Sequence, residues 1–206
     1  MGKYLQEHGF CSIMKAEMLF TERNQKMKWM IASDLHGSAL TCRALFDAFD
    51  REGAERLLFL GDLLYHGPRN DLPEEYAPKE VISLLNGRKE AILCVRGNCD
   101  TEVDQMVLEF PILATYAVLP MGKRTVFATH GHQFNGQNLP PLKEGDVLLH
   151  GHTHIPVWEE HGGIYVLNPG SVTIPKAGSS RGYMLWEDQT FSWKTLEGEL
   201  YHRLTL

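Results

Sequence analysis

Five apolar runs in this chain stop at metal-binding side chains, and that repeated junction narrows the choice of fold more than any other feature. Residues 29–33 run into Asp34 and His36, and residues 57–61 into Asp62. Residues 91–95 lead through Gly97 to Asn98, residues 126–129 meet His130, and residues 147–149 lead through Gly151 to His152 and His154. Short apolar runs bounded by turn-forming residues read as buried strands. In an open α/β sheet the carboxyl ends of the strands share one edge, where donors far apart in sequence converge on one ligand. A single site assembled from five segments is the expectation.

The segments between these runs set the fold class. Residues 39–50 place Leu40, Ala44, Leu45, Ala48 and Phe49 on one helical face, with Ser38 or Thr41 near the start as a cap. A strand follows at 56–60. Pro78 suits the first turn of a helix carrying Val81, Ile82, Leu84 and Leu85, and Asn86 with Gly87 ends it before the strand at Ala91. Two successive strand–helix–strand units imply parallel strands. Further runs at 112–119, 124–129, 147–150, 156–160, 164–167, 183–186, 190–194 and 199–204 are joined in part by short turns at 161–163 and 187–189, which suits antiparallel hairpins. The pattern predicts an α/β fold in which a mixed β-sandwich is flanked by helices. Residues 1–26 lack a clear period and Met27 stands directly before the first strand. The expected organisation is therefore an N-terminal extension over 1–26 and a single domain over 27–206, with a short helix over 13–22 packed on the domain as the alternative.

Composition excludes several classes of partner. With 206 residues, 43% of them apolar, the chain suffices for one domain with a substantial core. The net charge of −6 offers no basic stripe for a long nucleic acid. No apolar run approaches the roughly 20 residues that cross a bilayer, and the N-terminus lacks a signal-peptide core, so no membrane partner is expected. Cys11, Cys42, Cys94 and Cys99 form no CxxC pair and read as reduced thiols in a cytoplasmic protein. Trp158, Trp186 and Trp193 read as core or hairpin surface, with a homo-oligomer interface as a secondary use.

Seven candidate ligands result: Asp34, His36, Asp62, Asn98, His130, His152 and His154. One ion bound by protein rarely needs so many mixed donors, whereas two ions sharing a bridging carboxylate use them all. Imidazole, carboxylate and amide oxygen together suit Mn²⁺, Fe²⁺, Zn²⁺, Co²⁺ or Ni²⁺, and no cysteines at ligand spacing suggest a structural zinc site. Taken singly, each donor is ordinary: Asp34 as a helix cap, Asp62 and Asn98 as turn residues, His152 and His154 in a solvated turn. Their joint order carries the reading.

Asp34-x-His36, Gly61-Asp62, Gly97-Asn98, His130 and Gly151-His152-Thr153-His154 resemble the ordered signature of the calcineurin-like metallophosphoesterase family across residues 30–154. The run 61–70, with His66, Arg69 and Asn70, and the Asn-Pro-Gly-Ser run at 168–171 resemble its YfcE-type bacterial phosphodiesterase branch. The resemblance implies a four-layer α/β/β/α fold. It also implies that Asp34, His36 and His154 hold one ion, that Asn98, His130 and His152 hold a second, and that Asp62 bridges them. The activity implied is hydrolysis of a small phosphodiester by a metal-bridging hydroxide, with two divalent ions and manganese foremost.

One position departs from the family pattern: the histidine that usually follows the asparagine is Cys99 here. A thiol is a poor general acid, so the change favours diesters with an acidic leaving alcohol, and His132 and His66 become the candidates for the missing acid. Arg69 is a candidate phosphate contact. Two other functions compete. A phosphomonoesterase or nucleotide phosphatase is disfavoured by Cys99, and a non-catalytic interaction scaffold, as in the retromer subunit of the same fold, by the complete ligand set.

Overall fold

The computed structural model describes residues 27–206; the expected extension, and the alternative helix within it, lie outside the described residues. Strand β1 (Trp29–Ala32) leads through α1 (Ala39–Glu52) to β2 (Arg56–Phe59), then through α2 (Pro78–Asn86) to β3 (Ile92–Cys94). These three strands pair in parallel, as two crossovers require. Ser38 caps α1 by accepting from the Thr41 amide at 3.3 Å, and Gly53 ends it in a left-handed turn with φ of 62°. A short helix that periodicity does not reveal, α3 (Glu102–Gln105), is held by a capping box between Thr101 and Asp104.

The remaining strands are β4 (Tyr116–Met121), β5 (Arg124–Thr129), β6 (Val147–Leu149), β7 (Pro156–His161), β8 (Ile164–Pro169), β9 (Gly182–Glu187), β10 (Thr190–Thr195) and β11 (Leu200–Thr205). One sheet runs β11-β10-β9-β1-β2-β3 and the other β4-β5-β6-β8-β7. The turns at 161–163 and 187–189 join the antiparallel hairpins β7–β8 and β9–β10, as expected, and β4–β5 and β10–β11 pair in the same way. The strands β5, β6 and β8 lie parallel, which the turns do not foretell. Short turns reveal only local pairing, and the partners of β6 come from separate segments.

Alternation along the parallel strands explains the layering. Met30, Ala32, Leu57 and Phe59 face α1 and α2, packing with Leu45, Phe49 and Leu85. Ile31 and Leu58 face the other way and meet Val126, Val147, Trp186 and Trp193 between the sheets. Each fully buried side chain of this kind contributes about 1.5–3 kcal/mol. The α/β class and the two packed mixed sheets agree with expectation. The helices cover the first sheet, while Phe134, Leu139 and Leu142 cover the outer face of the second around Phe127, Leu148 and Val166. Trp158 is exposed on β7 and stacks on His202 with ring centroids 4.1 Å apart. Among the described residues no helix is long and apolar enough to cross a membrane.

Candidate metal centre

The carboxyl ends of β1, β2, β3, β5 and β6 open into the loops that carry all seven candidate donors. Backbone conformation marks these loops as unusual. Asp34, His36, Asp62, His152 and His154 have φ between 50° and 67°, and they make up five of the eight non-glycine residues with positive φ among those described. Such a conformation costs on the order of 1–3 kcal/mol per residue and persists where its surroundings impose it. Two glycines let the loops meet. A Cβ on Gly97 would lie 2.0 Å from Asp62 Oδ1, and one on Gly151 would lie 1.9 Å from Ser33 Oγ.

Hydrogen bonds fix how the imidazoles point. Nδ1 of His36, His154 and His130 lies 2.7 Å from the carbonyls of Tyr65, Ile174 and Leu60 respectively. A carbonyl only accepts, so Nδ1 carries the hydrogen, and in the neutral ring Nε2 turns a lone pair inward. Nε2 of His36 and of His154 are 3.3 Å apart. Asp34 Oδ1 lies 3.2 Å from the latter and 3.7 Å from the former, yet it is buried without a hydrogen-bond partner. Three electron-rich atoms thus meet away from water, and a cation among them relieves both the repulsion and the orphaned oxygen.

A second group adjoins the first. His130 Nε2 is 2.9 Å from Asn98 Oδ1, 3.2 Å from His152 Nδ1 and 3.4 Å from Asp62 Oδ2. Asp62 Oδ2 is also 3.8 Å from His36 Nε2, so this carboxylate stands between the two groups. Donor atoms of Asp34, His36 and His154 lie within 4.8 Å of one another, as do those of Asp34, Asp62 and His130. A third group at that spacing, His36, Asp62 and Cys99, includes a thiol for which the sequence spacing gives no signal.

Electrostatics favour a cation here. Burial disfavours the charge of Asp34 and Asp62, but the surrounding histidines outweigh it and hold both carboxyls below the usual range. Burial likewise opposes a charge on His130, while its hydrogen bond to Asp62 and the nearby Asp34 charge raise it to about 9. His152 is pushed down to about 4 by burial and by the charge on His130. Without a metal, a proton on His130 compensates the two carboxylates.

Further residues hold the donors in place. Asp100 accepts from the amides of Asp62 at 2.8 Å, Leu63 at 2.9 Å and Gly97 at 2.7 Å. Sequence reasoning gave Asp100 no role, since only the fold brings three N–H groups to it. Ser171 Oγ donates to the Asp34 carbonyl at 2.9 Å and accepts from Ile174 N at 2.8 Å, while Asn168 Nδ2 donates to the Gly151 carbonyl at 2.9 Å. The Asn-Pro-Gly-Ser run is therefore a brace behind the donors. His150 is buried beside the Gly151 carbonyl at 3.1 Å.

The other singled-out residues differ in setting. His132 is exposed, with its ring centroid 5.5 Å from that of His130 and 6.2 Å from that of His152. His66 packs edge-on against Tyr65 and Tyr76, at 4.8 and 5.2 Å, and its buried Nδ1 lacks a partner. Arg69 is exposed, and Asn70 donates to the His66 carbonyl at 2.7 Å, bracing that loop. Cys99 donates its amide to Asp62 Oδ1 at 2.8 Å, while burial and the Asp62 charge push its thiol up to about 12.

Residues 27–190 match the calcineurin-like phosphoesterase superfamily domain. The phosphodiesterase YfcE of Escherichia coli strain K12 is 49% identical over 166 residues, spanning 81% of this chain and 90% of that protein. A solved structure of the E. coli phosphoesterase YfcE superposes with a TM-score of 0.84 at 46% identity, covering 87% of this chain and 99% of its own. Zinc-bound Vps29 from Entamoeba histolytica, at a TM-score of 0.52 and 21% identity over 87% of this chain and 99% of its own, shares the fold alone. With the family domain matched over most of its length and a relative nearly half identical to it, this chain belongs to the calcineurin-like phosphoesterase superfamily.

Proposed function

We propose that this protein is a metal-dependent phosphodiesterase that hydrolyses a small phosphodiester. The observation that carries the proposal is the pair of donor groups sharing Asp62, with Asp34 Oδ1 buried and unpartnered beside inward-facing imidazole nitrogens. Similarity to YfcE, named a phosphodiesterase, supports the substrate class. Asp34, His36 and His154 would hold one divalent ion, Asn98, His130 and His152 a second, and Asp62 both, with manganese foremost among the ions these donors suit. When bound, the ions supply a hydrolytic nucleophile at neutral pH and positive charge for the phosphoryl oxygens.

The chain's own residues set the rest. Nδ1–carbonyl bonds at His36, His130 and His154 keep the rings from turning, and Asp100 locks the amides on either side of Asp62 to the loop after β3. Asn98 is exposed and His152 half-buried, so the ester enters on that side. Burial and the Asp62 charge raise the Cys99 thiol, and a thiol offers little help to a poor leaving group, which favours diesters with acidic alcohols. His132 is exposed on the entry side and is the better-placed proton carrier; His66 is enclosed by two tyrosines. Arg69, exposed on the loop after Asp62, is a phosphate contact. The single-domain reading of 27–206 and the cytoplasmic assignment belong to the same proposal, the latter supported by unpaired Cys42, Cys94 and Cys99.

Loading the protein with Mn²⁺ and comparing bis(p-nitrophenyl) phosphate with p-nitrophenyl phosphate at equal concentration tests the substrate class. Faster turnover of the diester is expected. Cleavage of the monoester alone overturns the assignment.

A further inference from the structure

A cleft of about 400 Å³ is lined by, among others, Tyr65, Tyr76, Ile82, Cys99, Val103 and Val107. Its volume falls within the range of small-molecule sites. Two of its lining residues touch the donor cluster through their backbone. The Tyr65 carbonyl accepts from His36 Nδ1 at 2.7 Å, and the Cys99 amide donates to Asp62 Oδ1 at 2.8 Å. No lysine, arginine or histidine lines it. Its acidic residue, Asp104, is occupied by the Thr101 amide at 2.7 Å and the Thr101 hydroxyl at 2.8 Å.

The wall therefore offers aromatic and aliphatic surface and no positive charge to meet an anion. At its rim Val103 is 68% exposed, Val107 43% and Tyr65 42%. An anionic group entering would lose hydration without compensation, whereas an aryl or alkyl group would gain apolar contact and two tyrosine faces. We propose that this cleft is the subsite for one alcohol arm of the phosphodiester, and that it selects an uncharged aryl or alkyl alcohol over an anionic one. The inference rests on the phosphodiesterase reading for the reaction, but the cleft's preference is measurable without metal or turnover.

Two measurements test it on the full-length chain. In the first, p-nitrobenzyl alcohol is titrated into the metal-free protein and followed by NMR, with glycerol phosphate as the charged comparison. Shifts at Tyr65 and Tyr76 with the aryl alcohol, absent with glycerol phosphate, are expected. In the second, the double variant Val103→Asn/Val107→Asn, at exposed positions where folding cost is small, is assayed with bis(p-nitrophenyl) phosphate. KM should rise about fivefold with kcat within about twofold, because apolar contact is lost and the donors are untouched. Aryl alcohol that shifts neither tyrosine, together with an unchanged KM, overturns the inference. So does a concentration-dependent rise in sedimentation coefficient that the double variant abolishes, since a second copy of the chain would then cover the cleft. If no metal-loaded sample turns over any diester, the phosphodiesterase reading fails and the alcohol titration alone decides the cleft.

Discussion

The two sides of the donor cluster are built to different depths. Asp34, His36 and His154 are no more than 3% exposed, whereas on the other side His130 is fully buried but Asn98 is exposed and His152 half-buried. On the deep side both imidazoles are fixed through Nδ1 to backbone carbonyls, and Ser171 holds the Asp34 carbonyl. On the shallow side only His130 has such an anchor, to the Leu60 carbonyl. The contrast separates two tasks. The deep side holds orphaned polarity that the fold itself maintains, and the shallow side leaves two of its donors open to approach from solvent.

Substitutions on either side probe this contrast. Asp62 belongs to both sides, so Asp62→Asn removes charge from each and should lower kcat/KM by about a thousandfold or more. Cys99→Ala, beside it, should cost less than about tenfold. Equal losses in steady-state assays would mean that Asp62 does not join the two sides. A smaller asymmetry is expected between the sides: His154→Ala should lose at least about a hundredfold in activity that excess Mn²⁺ does not restore, while His152→Ala should recover most of its activity at millimolar Mn²⁺. Metal titration of the two variants checks it, and identical recovery would erase the distinction between deep and shallow. Smallest is Cys99→His, which should raise turnover of diesters with weakly acidic alcohols by about tenfold and leave bis(p-nitrophenyl) phosphate nearly unchanged. No gain on the weak leaving groups would place the proton donor elsewhere, at His132 first.

The convergence of the candidate donors could be read from the sequence because strand ends and ligand types coincide in order. The parallel run of β1, β2 and β3 was legible for the same reason: helical periods at 39–50 and around Val81 to Leu85 separate the strands. What holds the donors was not. The carbonyls of Tyr65, Leu60 and Ile174 that orient the imidazoles carry no residue-type signal, since any residue has a carbonyl. Asp100 shows its role only once three amides converge on it. Ile112, expected at the start of a strand over 112–119, is fully buried in the helix-side core while β4 begins at Tyr116. Apolar character there serves loop packing after Pro111, and a pattern of polarity cannot tell that from strand pairing.

The central claim is that these donors gather two ions around Asp62. Crystals of the full-length chain soaked in Mn²⁺ and measured at the manganese absorption edge test it most directly. Two anomalous peaks are expected, one bonded to Asp34, His36 and His154, the other to Asn98, His130 and His152, with Asp62 touching both. A map with no peak among these side chains, or with a single peak and Asp62 turned away from it, would contradict the account.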